Sequence, residues 1–345
     1  MWLYFFLGFT PQPVTTIRRI FMQRLLISTF ALSLLSVVVA SPVLAQRPDR
    51  PLIPLNAYEL TDYQAVDVSE AFNFPEGLGF AGVSGLDINS EKNIVALHRG
   101  EYPFLEFDSE GNFLRQFGPK EFFAFSHGLH VDEDDNLWAT DAFGHLVVKF
   151  DKNGNELMRL GTQGESGIWD EAAGDHFFDQ PNDLAWDSQG NLYVAQGHGR
   201  GEPRVLKFDS EGNFIRQWGS RGEAIGQFVV AHAIQIDDQD NIYVADRENF
   251  RIQIFDTEGN YLRHLQFNAM VCGLYLHDGF IYMTSGFDGE WAKVDMEGNI
   301  IGALGRPGSG NGEFGEGHLM VVDEFDNVYI GDVLNQRIQK YAKKN

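Results

Sequence analysis

Residues 237–259, DDQDNIYVADRENFRIQIFDTEG, recur in altered form along most of the chain, so one local solution is repeated and the fold must be a way of stacking copies of it. The acidic turn Asp237-Asp238-Gln239-Asp240-Asn241 breaks the backbone, and Ile242-Tyr243-Val244-Ala245 is a short run suited to a pleated sheet. After a polar loop, Arg251-Ile252-Gln253-Ile254-Phe255 alternates polar and apolar side chains with period two. His232-Ala233-Ile234-Gln235-Ile236 supplies a strand ahead of this unit, and Tyr261-Leu262-Arg263-His264-Leu265 one behind it. Aligned on their first strands, the six units lead with Ser84, His127, Asn182, His232, Cys272 and His318, at spacings of 43, 55, 50, 40 and 46 residues. Four short strands at such a period are the signature of a β-propeller, whose blades each need neighbours to bury both faces.

The sixth unit stops after its third strand, at Gln339-Lys340-Tyr341, while residues 58–68 alternate like one spare strand. Lending that strand to the last blade removes an open sheet edge. The expected fold is therefore all-β: a six-bladed propeller over residues 58–345, with four-stranded antiparallel blades and the ring closed by the N-terminal strand.

The first 45 residues stand apart. Arg18, Arg19 and Arg24 precede an apolar run from Leu25 to Ala40, and Val43-Leu44-Ala45 offers small residues for cleavage before Gln46. This reads as a secretory signal, with Met22 an alternative start, followed by a linker over 46–57, and it places the mature protein in a secreted or periplasmic setting without stable membrane insertion. Removing the three arginines takes the formal charge from −23 to −26. So acidic a surface repels phosphate backbones and excludes nucleic acid as a natural partner, leaving a small-molecule or peptide substrate. Cys272 stands alone, so no intrachain disulfide is expected and burial must hold a monomeric ring together.

Strand direction sorts the loops onto two faces of the disc. The acidic turns share one face and are ordinary turn chemistry. The leading residues and the loops after each second strand share the other. Histidine leads blades two, four and six, so His127, His232 and His318 fall about a third of a turn apart and point to one axis. Three converging imidazoles form the open three-histidine arrangement expected of zinc, although imidazole also suits iron, copper or nickel. Arg99 and Arg247 occupy equivalent loops of blades one and four and would hold a carboxylate or a developing oxyanion, or else pair with Asp141, Asp246 or Asp332. His198 and Tyr102, on the same face, are candidate acid/base groups.

At these residues the chain resembles a known family. Asp240-Asn241-Ile242-Tyr243-Val244-Ala245-Asp246 followed by Arg251-Ile252-Gln253-Ile254-Phe255-Asp256 is similar to NHL repeats. Within that group Leu97-His98-Arg99-Gly100, Ser126-His127-Gly128-Leu129, Ala231-His232-Ala233-Ile234 and Ala245-Asp246-Arg247-Glu248-Asn249 resemble the peptidyl-α-hydroxyglycine α-amidating lyases, which split a hydroxyglycine-extended peptide into an amide and glyoxylate. The resemblance implies zinc on His127, His232 and His318, substrate contacts from Arg99 and Arg247, and a structural calcium held by the backbone carbonyls of Leu86 and Leu129. Two positions depart from the pattern. His198 stands where the family has a tyrosine base, and Leu319 stands where the calcium site would draw a carboxylate. The alternatives left open are an NHL scaffold that binds without turnover and a metal-dependent hydrolase such as a lactonase.

Overall fold

The computed structural model describes residue 55 and residues 59–344; the proposed signal segment and most of the linker lie outside the described residues. Six separate four-stranded sheets follow one another along the chain, five of them ordered as the strands occur in sequence. The sixth takes its outermost strand from the N-terminal side: Tyr63–Ala65 pairs antiparallel with Arg337–Lys343, Tyr63 facing Lys343 and Ala65 facing Tyr341. The molecule is a six-bladed propeller closed as expected.

The closing strand is shorter than the alternation of residues 58–68 predicts. Asp67 accepts from the Ser69 amide at 2.9 Å, and this cap diverts the chain into a helical turn, Val68–Ala71. Closure is nevertheless well packed: Tyr63 is buried, its ring 5.3 Å from Trp291 in an edge-on contact. Leu55, within the stretch read as linker, is also buried and donates its amide to Glu290 at 2.9 Å.

Blade faces bury against each other as the apolar periodicity requires. Val95, Leu97 and Phe104 of blade one pack with Leu129, Ala139 and Val148 of blade two in one apolar cluster, and comparable clusters recur around the ring. The acidic turns behave as turns. Asp187, Asp237 and Asp323 each accept from an Asn amide four residues on and from a Tyr hydroxyl six residues on, at Tyr193, Tyr243 and Tyr329.

One feature of the innermost strands is invisible in the sequence. In blades one, two, three, four and six the register against the second strand slips at the leading residue: between Val83 and Gly85, Ser126 and Leu129, Pro181 and Asp183, Ala231 and Ala233, and Gly317 and Met320. Such bulges leave a residue out of the ladder and re-aim its side chain. Blade five differs, because its innermost strand begins at Leu274, and Cys272 and Gly273 only lead into it through bonds to Thr284. Glycine beside the leading residue lets neighbouring strands approach. A Cβ on Gly128 would lie 2.6 Å from Asn182 O, and one on Gly273 would lie 2.4 Å from His318 O.

Candidate metal centre

The leading residues of blades two, four and six meet. The rings of His127, His232 and His318 have centroids 4.5 to 5.0 Å apart, all three are buried, and one ligand atom from each lies within 4.8 Å of the others. Each imidazole is tied to the blade that follows it. His127 Nδ1 lies 2.8 Å from Asn182 O, His232 Nδ1 2.8 Å from Cys272 O, and His318 Nδ1 2.5 Å from Ser84 O. A carbonyl only accepts, so each Nδ1 carries the proton and each Nε2 presents a lone pair. His127 Nε2 is buried with no hydrogen-bond partner. An orphaned acceptor among three neutral imidazoles, all oriented from outside by backbone carbonyls, is the donor set and outer shell that a divalent metal requires. Burial, together with positive neighbours that include Arg99 for His127 and Arg247 for His232, holds these imidazoles well below the usual histidine range, and His318 is lowered to about 3. They are neutral at physiological pH.

His198 joins the trio from the loop after Leu192–Gln196. Its ring is 5.0 Å from that of His127 and 5.8 Å from that of His232, and burial, then Arg247, depress its pKa well below the ordinary value. Arg99 lies with its guanidinium 3.6 Å above the Phe125 ring and donates from Nε to Ser126 O at 3.4 Å. Burial lowers its pKa to about 10, against the opposing pull of Glu316. Arg247 is buried and clamped by Glu248, Nη2 to Oε1 at 2.8 Å, so that despite burial its charge is reinforced.

The acids named as alternative partners of the arginines are occupied otherwise. Asp141 accepts from the amides of Ala124 and Phe125, Asp246 pairs with Arg251 at 2.8 Å, and Asp332 with Arg337 at 3.3 Å. Among the described residues Arg99 makes no ion pair. Tyr102 is not drawn to the cluster; its ring lies under Lys120 Nζ at 4.7 Å. Leu86 and Leu129 sit in the inner strands with side chains in the apolar core, and Leu319 packs in another apolar cluster. Beside Leu86 and Leu129, His130 lies between Asp183, at 2.8 Å, and Asp87, at 3.7 Å, so an imidazole occupies the space between two carboxylates of different blades.

Sequence reasoning missed Glu316. It stands two residues before His318, its carboxyl is raised by burial, and Arg247 and Arg99 are the positive charges acting on it. Only its position in the chain, ahead of a leading histidine, marked it.

A family model described as "6-bladed beta-propeller" matches residues 188–301. The rat peptidylglycine alpha-amidating monooxygenase is 29% identical over 304 residues, covering 75% of this chain and 30% of that protein. A probable peptidyl-alpha-hydroxyglycine alpha-amidating lyase of Caenorhabditis elegans is 34% identical over 200 residues, covering 50% of this chain and 55% of that one. The chain is a six-bladed propeller homologous to amidating enzymes. Human NHL repeat-containing protein 3 is 30% identical over 163 residues, 45% of each chain. Among solved structures, a streptogramin B lyase superposes with a TM-score of 0.57 at 13% identity, covering 81% of this chain and 97% of that one, which is a likeness of fold. The chain spans about a third of the length of the rat relative, so the propeller corresponds to one part of a longer enzyme there.

Proposed function

We propose that this propeller is an exported metal-dependent carbon–nitrogen lyase that cleaves α-hydroxyglycine amides to an amide and glyoxylate. The observation that carries the reading is the set of three buried imidazoles with every Nδ1–H tied to a backbone carbonyl and His127 Nε2 left without a partner. Homology to enzymes named for α-amidation supplies the substrate class.

His127, His232 and His318 would hold the metal, which we take to be zinc from the neutral nitrogen donor set. When bound, such an ion supplies Lewis acidity that lowers the pKa of a hydroxyl at the open position. The residues around it do the rest. Arg99 and Arg247 place two guanidiniums at the same face, and they receive the substrate carboxylate and the charge that develops beside it. His198, kept neutral by burial and by Arg247, takes the hydroxyl proton. As that O–H bond breaks, the carbonyl of glyoxylate forms, the C–N bond breaks, and the leaving amide nitrogen takes the proton from His198, which returns to its neutral form. No oxidant is consumed. The Phe125 and Phe143 rings, stacked 4.5 Å apart and next to His198, shield the reacting groups from water.

The test is glyoxylate release from an acyl-α-hydroxyglycine by the metal-replete protein. Turnover that disappears in His198→Ala while metal content persists supports the assignment; no glyoxylate from metal-replete protein overturns it.

A further inference from the structure

A cavity of about 430 Å³ lies beside the metal centre, between the loop after the second strand of blade one and the segment that enters blade two. This is within the roughly 300–1,000 Å³ that ligand-binding cavities occupy. Its apolar wall is Pro103, Phe122, Phe123 and Phe125, and two more of its lining residues, Arg99 and Ser126, belong to the metal site. The connection is direct. Arg99 lies on the Phe125 ring and bonds to Ser126 O, Ser126 precedes the ligand His127, and Phe125 touches His198 with ring centroids 5.7 Å apart. Glu101 and Glu121 also line the cavity, Glu101 in an ion pair with Lys120.

We infer that this cavity is the subsite for the residue on the amide side of the scissile bond, and that it selects a large aromatic side chain and rejects an acidic one. The inference rests on the proposed reaction and names its substrate class. Consecutive Cα atoms are about 3.8 Å apart, so a substrate whose hydroxyglycine carboxylate engages Arg99 has its preceding residue at the mouth of a cavity bordered by that same arginine. Phenylalanine rings on the wall offer edge and face contacts to an aromatic side chain. Glu121, which makes no ion pair among the described residues, repels a carboxylate that would otherwise be drawn to Arg99, and so separates the anionic end of the substrate from its acyl end. A neutral or basic aromatic residue fits both requirements.

Three substrates test this with the full-length, metal-replete protein: the N-acetyl-phenylalanyl, N-acetyl-alanyl and N-acetyl-aspartyl derivatives of α-hydroxyglycine. A single methylene in an apolar pocket is worth roughly 10-fold or more in kcat/KM, so the phenylalanyl substrate is expected to exceed the alanyl one by on the order of 10²-fold, with the aspartyl substrate poorest. Ala124 is an exposed lining residue outside the reacting groups, and Ala124→Trp fills the cavity without disturbing the core. This variant should lower the phenylalanyl value much more than the alanyl one and so bring the two within a few fold of each other. Equal native values, or a preference that survives in Ala124→Trp, overturns the subsite. Calorimetric binding of N-acetylphenylalaninamide, the product, gives a readout without turnover: binding weakened at least 10-fold by Ala124→Trp supports the subsite, and unchanged or absent binding contradicts it. Absence of glyoxylate from all three substrates would instead count against the reaction itself.

Discussion

His318 in the last blade bonds through Nδ1 to the main-chain carbonyl of Ser84 in the first, at 2.5 Å, across the point where the ring closes. The same relationship joins His127 to Asn182 and His232 to Cys272, so every histidine of the centre is oriented by the blade that follows it. In the proposed metal site, affinity and ring geometry would thereby be coupled. Anything that separates neighbouring inner strands should loosen the ligands before it unfolds the blades.

Gly128→Ala tests that coupling. Its Cβ would come within 2.6 Å of Asn182 O, the acceptor that fixes His127. Overpacking of this kind costs about 1–3 kcal/mol, and loss of an outer-shell partner costs roughly 10–100-fold in metal affinity. Urea unfolding and a chelator competition should show both effects, the second in a protein that is still folded.

Arg99→Lys and Arg247→Lys should each lower kcat/KM on the order of 10²-fold, because a point charge replaces a planar fork at a carboxylate. The two differ in stability. Arg247 is buried against Glu248, so its replacement leaves a partly buried carboxylate weakly matched and lowers the melting temperature, whereas Arg99 makes no ion pair among the described residues and its replacement should leave melting almost unchanged. Steady-state kinetics with hydroxyglycine substrates and thermal melts separate the two effects.

His130 carries a pH-dependent part of the stability. Burial works against its charged form, but Asp183 and Asp87 outweigh burial and raise its pKa above the ordinary value. A histidine whose folded pKa is raised contributes stability that is fully present below the unfolded value of about 6.5 and is lost as pH rises through the folded value. His130→Gln should therefore destabilise the protein more at pH 6 than at pH 9. Denaturant midpoints for native and variant protein at both values check the sign; an equal loss at the two pH values would contradict it.

Tyr63 is buried against Trp291, and its hydroxyl lies 3.3 Å from that of Tyr282. Tyr63→Ala should cost about 3–5 kcal/mol, as for other large aromatic truncations in a core. Because His318 and Ser84 face each other across the same closure, chelator sensitivity should rise together with the loss of stability.

What was legible in the sequence follows from the repeat. His127, His232 and His318 share one phase in successive units, and phase becomes position once identical units are set around an axis, so their convergence could be read before any fold was seen. Arg99 and Arg247 were legible for the same reason. Features outside the period were not. The bulges at the leading residues depend on strand register, which composition does not encode. Glu316 has no counterpart in the other units. The helical turn at Val68–Ala71 hangs on one capping aspartate, and the contact of His130 with Asp183 and Asp87 spans separate blades. The cavity near Arg99 is walled by residues 121–125, a connection between blades with no repeat to mark it.

The most direct measurement is the metal content of the purified protein beside that of His127→Ala, with hydroxyglycine turnover followed in the same samples. The account predicts about one divalent metal, chiefly zinc, per native chain, with metal and glyoxylate release lost together in the variant while the propeller stays folded. A native protein that binds no metal after exposure to zinc, or a variant that keeps its metal, would contradict it.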